Sequence, residues 1–154
     1  TVGLGVDTLS LRMERHIANT RRVAEFLESQ VGGGLVETVR WSSLPSSPFY
    51  ALAQKYTPKG CGSLLNFDLS GGLQAGKAFI NSLELLANVA NIGDVRSLAI
   101  HPASTTHAQL TTAELLAQGI TPGTVRLSIG TEDPQDIVAD IERGLAAARQ
   151  ANAA

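Results

Sequence analysis

The run T-V-R-L-S-I-G-T-E-D (Thr124 to Asp133) decides how this chain is read. It alternates as a strand does, with Val125, Leu127 and Ile129 on one side and Arg126 and Ser128 on the other. A guanidinium in a strand interior is costly without an anion. Arg126 is therefore either salt-bridged to an internal Asp or Glu or held open for a ligand carboxylate, and the sequence leaves both alternatives standing. The planar fork of arginine suits bidentate carboxylate recognition in a way that lysine does not.

Outward from that strand, helical and strand patterns alternate. Asp7 is expected to cap an amphipathic helix from Thr8 to Gln30, with Leu9, Met13, Ile17, Val23, Phe26 and Leu27 as its apolar stripe; Thr1 to Gly5 before it reads as irregular. Gly32-Gly33-Gly34 ends the helix, and Val36 to Trp41 has strand composition. Pro45 and Pro48 among serines mark turns, Phe49 to Tyr56 a short helix, and Ser63 to Leu69 a strand closed by Gly71-Gly72. Leu73 to Leu86 reads as a second long helix, followed by an apolar stretch to Ile92 and a strand from Ser97 to Ile100. Thr111 or Thr112 starts a short helix that stops at Gly119. The fourth strand is Val125 to Ile129, and Pro134 opens a closing helix with Ile137, Ile141 and Leu145 inward and an alanine-rich end that frays after Gly144. About four short strands among helices predict an α+β fold: a small, mostly antiparallel sheet with helices on one face, preceded by a long linking helix. The sheet's other face is then free to cover a neighbouring domain.

Composition excludes several function classes. With 154 residues, 44% hydrophobic and 17% charged, the chain suits one globular domain with a real core. A net charge of -2 with scattered Lys and Arg gives no footprint for nucleic acid or an anionic membrane. No apolar run approaches the roughly 20 residues needed to span a bilayer. One cysteine, Cys61, excludes an internal disulfide and a cysteine-based zinc site, and the chain is expected to be cytoplasmic. Neither a G-x-G-x-x-G after a strand nor a P-loop is present. His101, His107 and His16 have no carboxylate spacing that makes a metal constellation, so no metal is expected. Ser104, His107 and Asp133 could be drawn as a triad, but no nucleophile elbow supports it. Histidines hydrogen-bonded in a turn are the preferred reading.

Three segments taken in order carry a family resemblance: L-S-L-R-M-E-R-H (Leu9 to His16), N-I-G-D-V-R-S-L-A-I-H-P-A-S-T-T-H (Asn91 to His107) and G-I-T-P-G-T-V-R-L-S-I-G-T-E-D (Gly119 to Asp133). Together they resemble the C-terminal part of the Cys/Met-metabolism family of pyridoxal-phosphate enzymes, which have fold type I. The resemblance implies that Arg126 binds the α-carboxylate of an amino-acid substrate and that Thr106 helps hold that region. It places Asn91 where many relatives carry a serine, also as a substrate contact. That asparagine, with Thr105 where lyases and synthases often have methionine, is closer to the O-acetylhomoserine sulfhydrylase branch.

The resemblance further implies that residues 1-30 are an interdomain linking helix and residues 31-154 a C-terminal substrate-binding domain. The large domain that binds pyridoxal 5'-phosphate is expected to be absent. The family's cofactor-bearing lysine lies upstream in an S-x-T-K segment that nothing here matches; Lys55, Lys59 and Lys77 read as solvated surface. No catalytic, cofactor-binding or metal residue is therefore expected in this chain, which alone is expected to be inactive. Its expected partners are the amino-acid substrate, the large domain and further copies in a homotetramer, with no nucleic acid and no membrane. Exposed apolar surface on the linking helix and a tendency to associate are expected as well.

Three readings compete: the substrate-binding domain of a γ-replacing sulfhydrylase, which makes homocysteine or methionine from O-acetylhomoserine and sulfide or a thiol; the same domain of a cystathionine γ-synthase or methionine γ-lyase; and a non-catalytic amino-acid-binding domain.

Overall fold

The computed structural model describes residues 2–153. Four antiparallel strands form one sheet: β1 (Val36–Arg40), β2 (Leu64–Leu69), β3 (Leu98–Ile100) and β4 (Thr124–Ser128), in the order β1-β2-β4-β3. The helices are α1 (Val2–Asp7), α2 (Leu9–Ser29), α3 (Tyr50–Tyr56), α4 (Gly72–Asn81), α5 (Thr112–Ala117) and α6 (Pro134–Ala153). The expected α+β class and antiparallel sheet are both present. Helices α2 and α4 lie on one face, and α6 packs against both.

Register explains why that face is the core. Val39, Phe67 and Val125 lie in one row, Leu127 pairs with both Leu65 and Ala99, and all but the half-buried Val39 are fully or nearly fully buried. Above them Phe79 of α4 meets Phe67 edge to face, with centroids 5.3 Å apart. Ile137, Ile141 and Leu145 of α6 complete the layer, as their spacing predicts. Gly144 allows this approach, because a Cβ there would sit 2.5 Å from the Phe79 ring. A mid-helix glycine costs roughly 0.5–1 kcal/mol against alanine, so close packing on Phe79 outweighs helix propensity.

Several expected boundaries move. Thr1 lies outside the described residues, but Val2 to Asp7 is helical rather than irregular, and Thr8, not Asp7, separates α1 from α2. Thr8 makes no side-chain cap to the helix; its hydroxyl accepts from the Arg12 Nε instead. Helix α4 stops at Asn81, short of Leu86. The cause is Asp140 of α6, whose buried carboxylate accepts from the backbone N–H groups of Glu84, Leu85 and Leu86 at 2.9 Å each and so bends the chain into a turn. The alanine-rich end does not fray after Gly144. Leu145 and Ala148 are buried, and Asn152 donates to the Ser70 carbonyl at 3.0 Å.

The expected stripe on α2 holds only in its second half. Val23, Ala24 and Leu27 are buried, while Leu9 is exposed and Met13 and Ile17 are partly so. In the first half the inward face is polar. Asn19 donates to the carbonyls of Gly130 and Glu132, and His16 Nδ1 donates to that of Ile129 at 2.7 Å. These bonds satisfy the end of β4 and hold the strand that carries Arg126 against α2. Among the described residues no helix is long and apolar enough to cross a membrane.

Candidate functional site

The sheet face turned away from α2 and α4 carries the chemistry. Strand pairing sets Arg40, Asn66, Arg126 and Ile100 in one row, and Thr38, Asp68 and Thr124 in the next. Alternation then turns all of these away from the core. Two arginines thus stand two strands apart on one face, with Asn66 between them. Adjacent strands are about 4.8 Å apart, so their Cα atoms are separated by about 10 Å.

The two guanidiniums differ in what they hold. Arg40 grips Asp68 through both Nη atoms, at 2.5 and 2.8 Å. The same carboxylate accepts from the hydroxyls of Thr38, Thr121 and Thr124. Burial acts to raise the Asp68 pKa, but the hydrogen bonds from Arg40, Thr124 and Thr38, with the charge of Arg40, hold it below the ordinary carboxylate value. Arg126 has no such partner: among the described residues its guanidinium makes no ion pair, and its Nη2 donates to the backbone carbonyl of Asn91 at 3.2 Å. The internal salt bridge that the sequence left open is absent. Arg126 is the arginine held open.

The expected site residues come together unequally. Arg126 and Thr106 line one cavity of about 200 Å³, with Arg40, Asn66 and His107 also in its lining. Thr106 Oγ1 lies 2.8 Å from His107 Nδ1. Asn91 does not border that cavity; its side chain accepts from Ile92 N–H at 2.8 Å, and it meets Arg126 only through its backbone. Arg40, Asn66 and Asp68 went unflagged in the sequence. The one local signal was polar alternation at Asn66 and Asp68 in β2; their place beside Arg126 depends on strand pairing.

The first histidine of H-P-A-S-T-T-H is structural. His101 is fully buried, its Nε2 donates to the Pro122 carbonyl at 2.7 Å, and its Nδ1 accepts from Ser104 Oγ at 2.8 Å. Burial first, and Lys77 to a smaller extent, depress its pKa against the opposing effect of the Pro122 bond, so the ring is neutral. Gly76 makes room for it, since a Cβ there would meet Nε2 at 2.2 Å. Ser104 is thus committed to His101 rather than His107, and Asp133 accepts from Gln135 N–H at the start of α6. No Ser104/His107/Asp133 triad forms.

The residues present do not fit pyridoxal phosphate. Lys55, Lys59 and Lys77 are all exposed, none borders the Arg126 cavity, and no Phe, Tyr or Trp does so to stack on a ring. The donors fit a carboxylate. Among the described residues no group of three or more His, Cys, Asp or Glu could hold a metal ion.

An antiparallel sheet with helices on one face thus carries on its other face one arginine with no ion pair among the described residues. The chain belongs to the Cys/Met metabolism PLP-dependent enzyme family, whose sequence profile matches residues 1–146. An O-acetyl-L-homoserine sulfhydrylase of Corynebacterium glutamicum is 51% identical over 143 residues, 93% of this chain and 32% of that protein. An L-methionine gamma-lyase of Treponema denticola is 44% identical over 144 residues, 94% of this chain and 35% of the relative. The crystal structure of a cystathionine gamma synthase from Xanthomonas oryzae pv. oryzae, in complex with aminoacrylate and cysteine, superposes with a TM-score of 0.85 at 37% identity. It is matched over 96% of this chain and 37% of its own. The chain spans about a third of the length of the curated relatives it matches.

Proposed function

We propose that this chain is the substrate-carboxylate domain of an O-acetylhomoserine sulfhydrylase, which replaces the acetate of O-acetylhomoserine by sulfide or a thiol to give homocysteine or methionine. The observation that carries the reading is Arg126: a strand guanidinium with no internal carboxylate, opening on a cavity shared with Thr106. Charge-assisted bidentate bonds from such a fork fix both position and orientation of a carboxylate. Arg126 then moves no proton. It presents the substrate's Cα in one orientation to groups outside this chain, a contribution of geometry. The electron-sink chemistry belongs to pyridoxal phosphate, bound by a large domain outside these residues.

The sulfhydrylase branch is favoured over the lyases by similarity to relatives of that name, at 51% and 49% identity against 44% for the lyase. Assembly of the intact enzyme as a homotetramer in the cytoplasm belongs to the same proposal. It is supported by the exposed apolar side chains Val2, Leu4, Val6, Leu9 and Leu11 along α1 and the start of α2, and by the single free cysteine. Product analysis tests the reading. The intact enzyme that contains this chain should form homocysteine and acetate from O-acetylhomoserine and sulfide. Breakdown of methionine to methanethiol without that reaction would assign it to the lyases instead.

A further inference from the structure

The wall beside Arg126 has a charge arrangement that the carboxylate contact does not use. Arg40 lines the same cavity on the same row, yet its charge is spent: both Nη atoms lie on Asp68, whose side chain is 4% exposed. Asn66, between the two arginines, is a neutral amide that also lines the cavity. The cavity thus offers one open arginine at one end and a neutralised one at the other. An acylated homoserine has the matching length, because its carboxylate carbon and ester carbonyl carbon are about 6 Å apart when extended.

We propose that the Arg40–Asp68 pair is a specificity determinant for the acyl end of the substrate, admitting an uncharged ester beside Asn66 and disfavouring an acyl group that bears a second carboxylate. This rests on the sulfhydrylase reading and deepens it. The physical reason is desolvation. A succinyl carboxylate entering this space loses water and meets Asn66 and an Arg40 whose charge Asp68 already neutralises from behind, with no unpaired cation among the described residues at that end. An acetyl group carries no such cost, and its carbonyl needs only one donor, which the Asn66 amide can supply. Asp68 is fixed for this role by three threonine hydroxyls, so its charge does not swing away.

The test compares kcat/KM for O-succinylhomoserine and O-acetylhomoserine, each with sulfide, in the intact enzyme and two variants that unbalance the pair in opposite directions. The wild type should prefer the acetyl ester. Asp68→Asn leaves Arg40 unneutralised and should raise the succinyl-to-acetyl ratio by about tenfold, the size of one screened charge contact at this range. Arg40→Met leaves the Asp68 carboxylate unneutralised and should lower the ratio. Asp68 is a buried hub, so if its variant fails to fold, Arg40→Met alone decides, because Asp68 keeps its threonine donors there. A ratio equal to the wild type's in every variant that folds would overturn the proposal. Activity on neither ester would instead contradict the sulfhydrylase reading, so the two failures are distinguishable.

Discussion

Arg40 and Arg126 occupy one row of one sheet face, and one is closed while the other is open. The difference lies in the row beside them. Asp68 stands diagonal to Arg40 and is held there by Thr38, Thr121 and Thr124, so Arg40 finds its anion inside the fold. By register Asp68 stands diagonal to Arg126 as well, but its carboxylate is turned to Arg40, and Arg126 Nη2 donates instead to the Asn91 carbonyl, a neutral acceptor. The fold therefore completes one arginine and leaves the other without an anion among the described residues. An arginine's role is set by whether a buried carboxylate reaches it, not by its strand position.

The comparison can be broken most sharply at the open arginine. Arg126→Ala should raise the KM for O-acetylhomoserine in the intact enzyme by about 10²–10³-fold, the usual cost of removing one partner of a charge-assisted pair. Because Arg126 has no internal ion pair, urea unfolding of the same variant should shift by no more than about 0.5 kcal/mol. A large loss of stability would make Arg126 a structural residue like Arg40. At the closed arginine the pattern should reverse. Asp68→Ala leaves three threonine hydroxyls and Arg40 without their acceptor and should destabilise the chain by about 2–4 kcal/mol in urea unfolding. An unchanged midpoint would remove the contrast.

A third prediction concerns pH. His101 is neutral in the fold because burial depresses its pKa below the ordinary 6.5, whereas in the unfolded chain it takes up a proton near that value. Its contribution to stability is therefore present above pH 6.5 and lost as pH falls below it, since the unfolded state then binds the extra proton. The urea midpoint should fall between about pH 7 and about pH 5.5, and His101→Asn should flatten that slope. Equal slopes would show that His101 is not the group responsible. The smallest effect is expected at Asn91. Its contact with Arg126 is a backbone carbonyl, so Asn91→Ala should change KM by less than about twofold, well below the cost of losing a direct hydrogen bond. A rise comparable to that of Arg126→Ala would mean that its side chain turns to the substrate.

Local pattern made much of this legible. Alternation at Val125, Leu127 and Ile129 placed Arg126 on the outer face, and helical spacing placed Ile137, Ile141 and Leu145 in the core. Thr111 with Glu114 forms a capping box that opens α5 where the sequence put it. What stayed hidden depended on distant partners. The end of α4 is set by Asp140, about 55 residues later, through backbone hydrogen bonds that no window around Asn81 contains. The first half of α2 turns His16 and Asn19 inward because the carbonyls of Ile129 and Gly130 need donors, although apolar spacing favoured Leu9, Met13 and Ile17. Arg40 was missed for the same reason: only the β1–β2–β4 register brings it to Arg126's row.

The central claim is that Arg126 receives the substrate's α-carboxylate, and a ligand pair tests it most directly. In the intact enzyme, binding of O-acetylhomoserine is compared with that of its α-carboxamide, with and without Arg126→Ala. The account predicts that the wild type favours the carboxylate by about 100-fold and that the variant binds both alike, a coupling of about 2.7 kcal/mol. A variant that keeps the full preference for the carboxylate would contradict it.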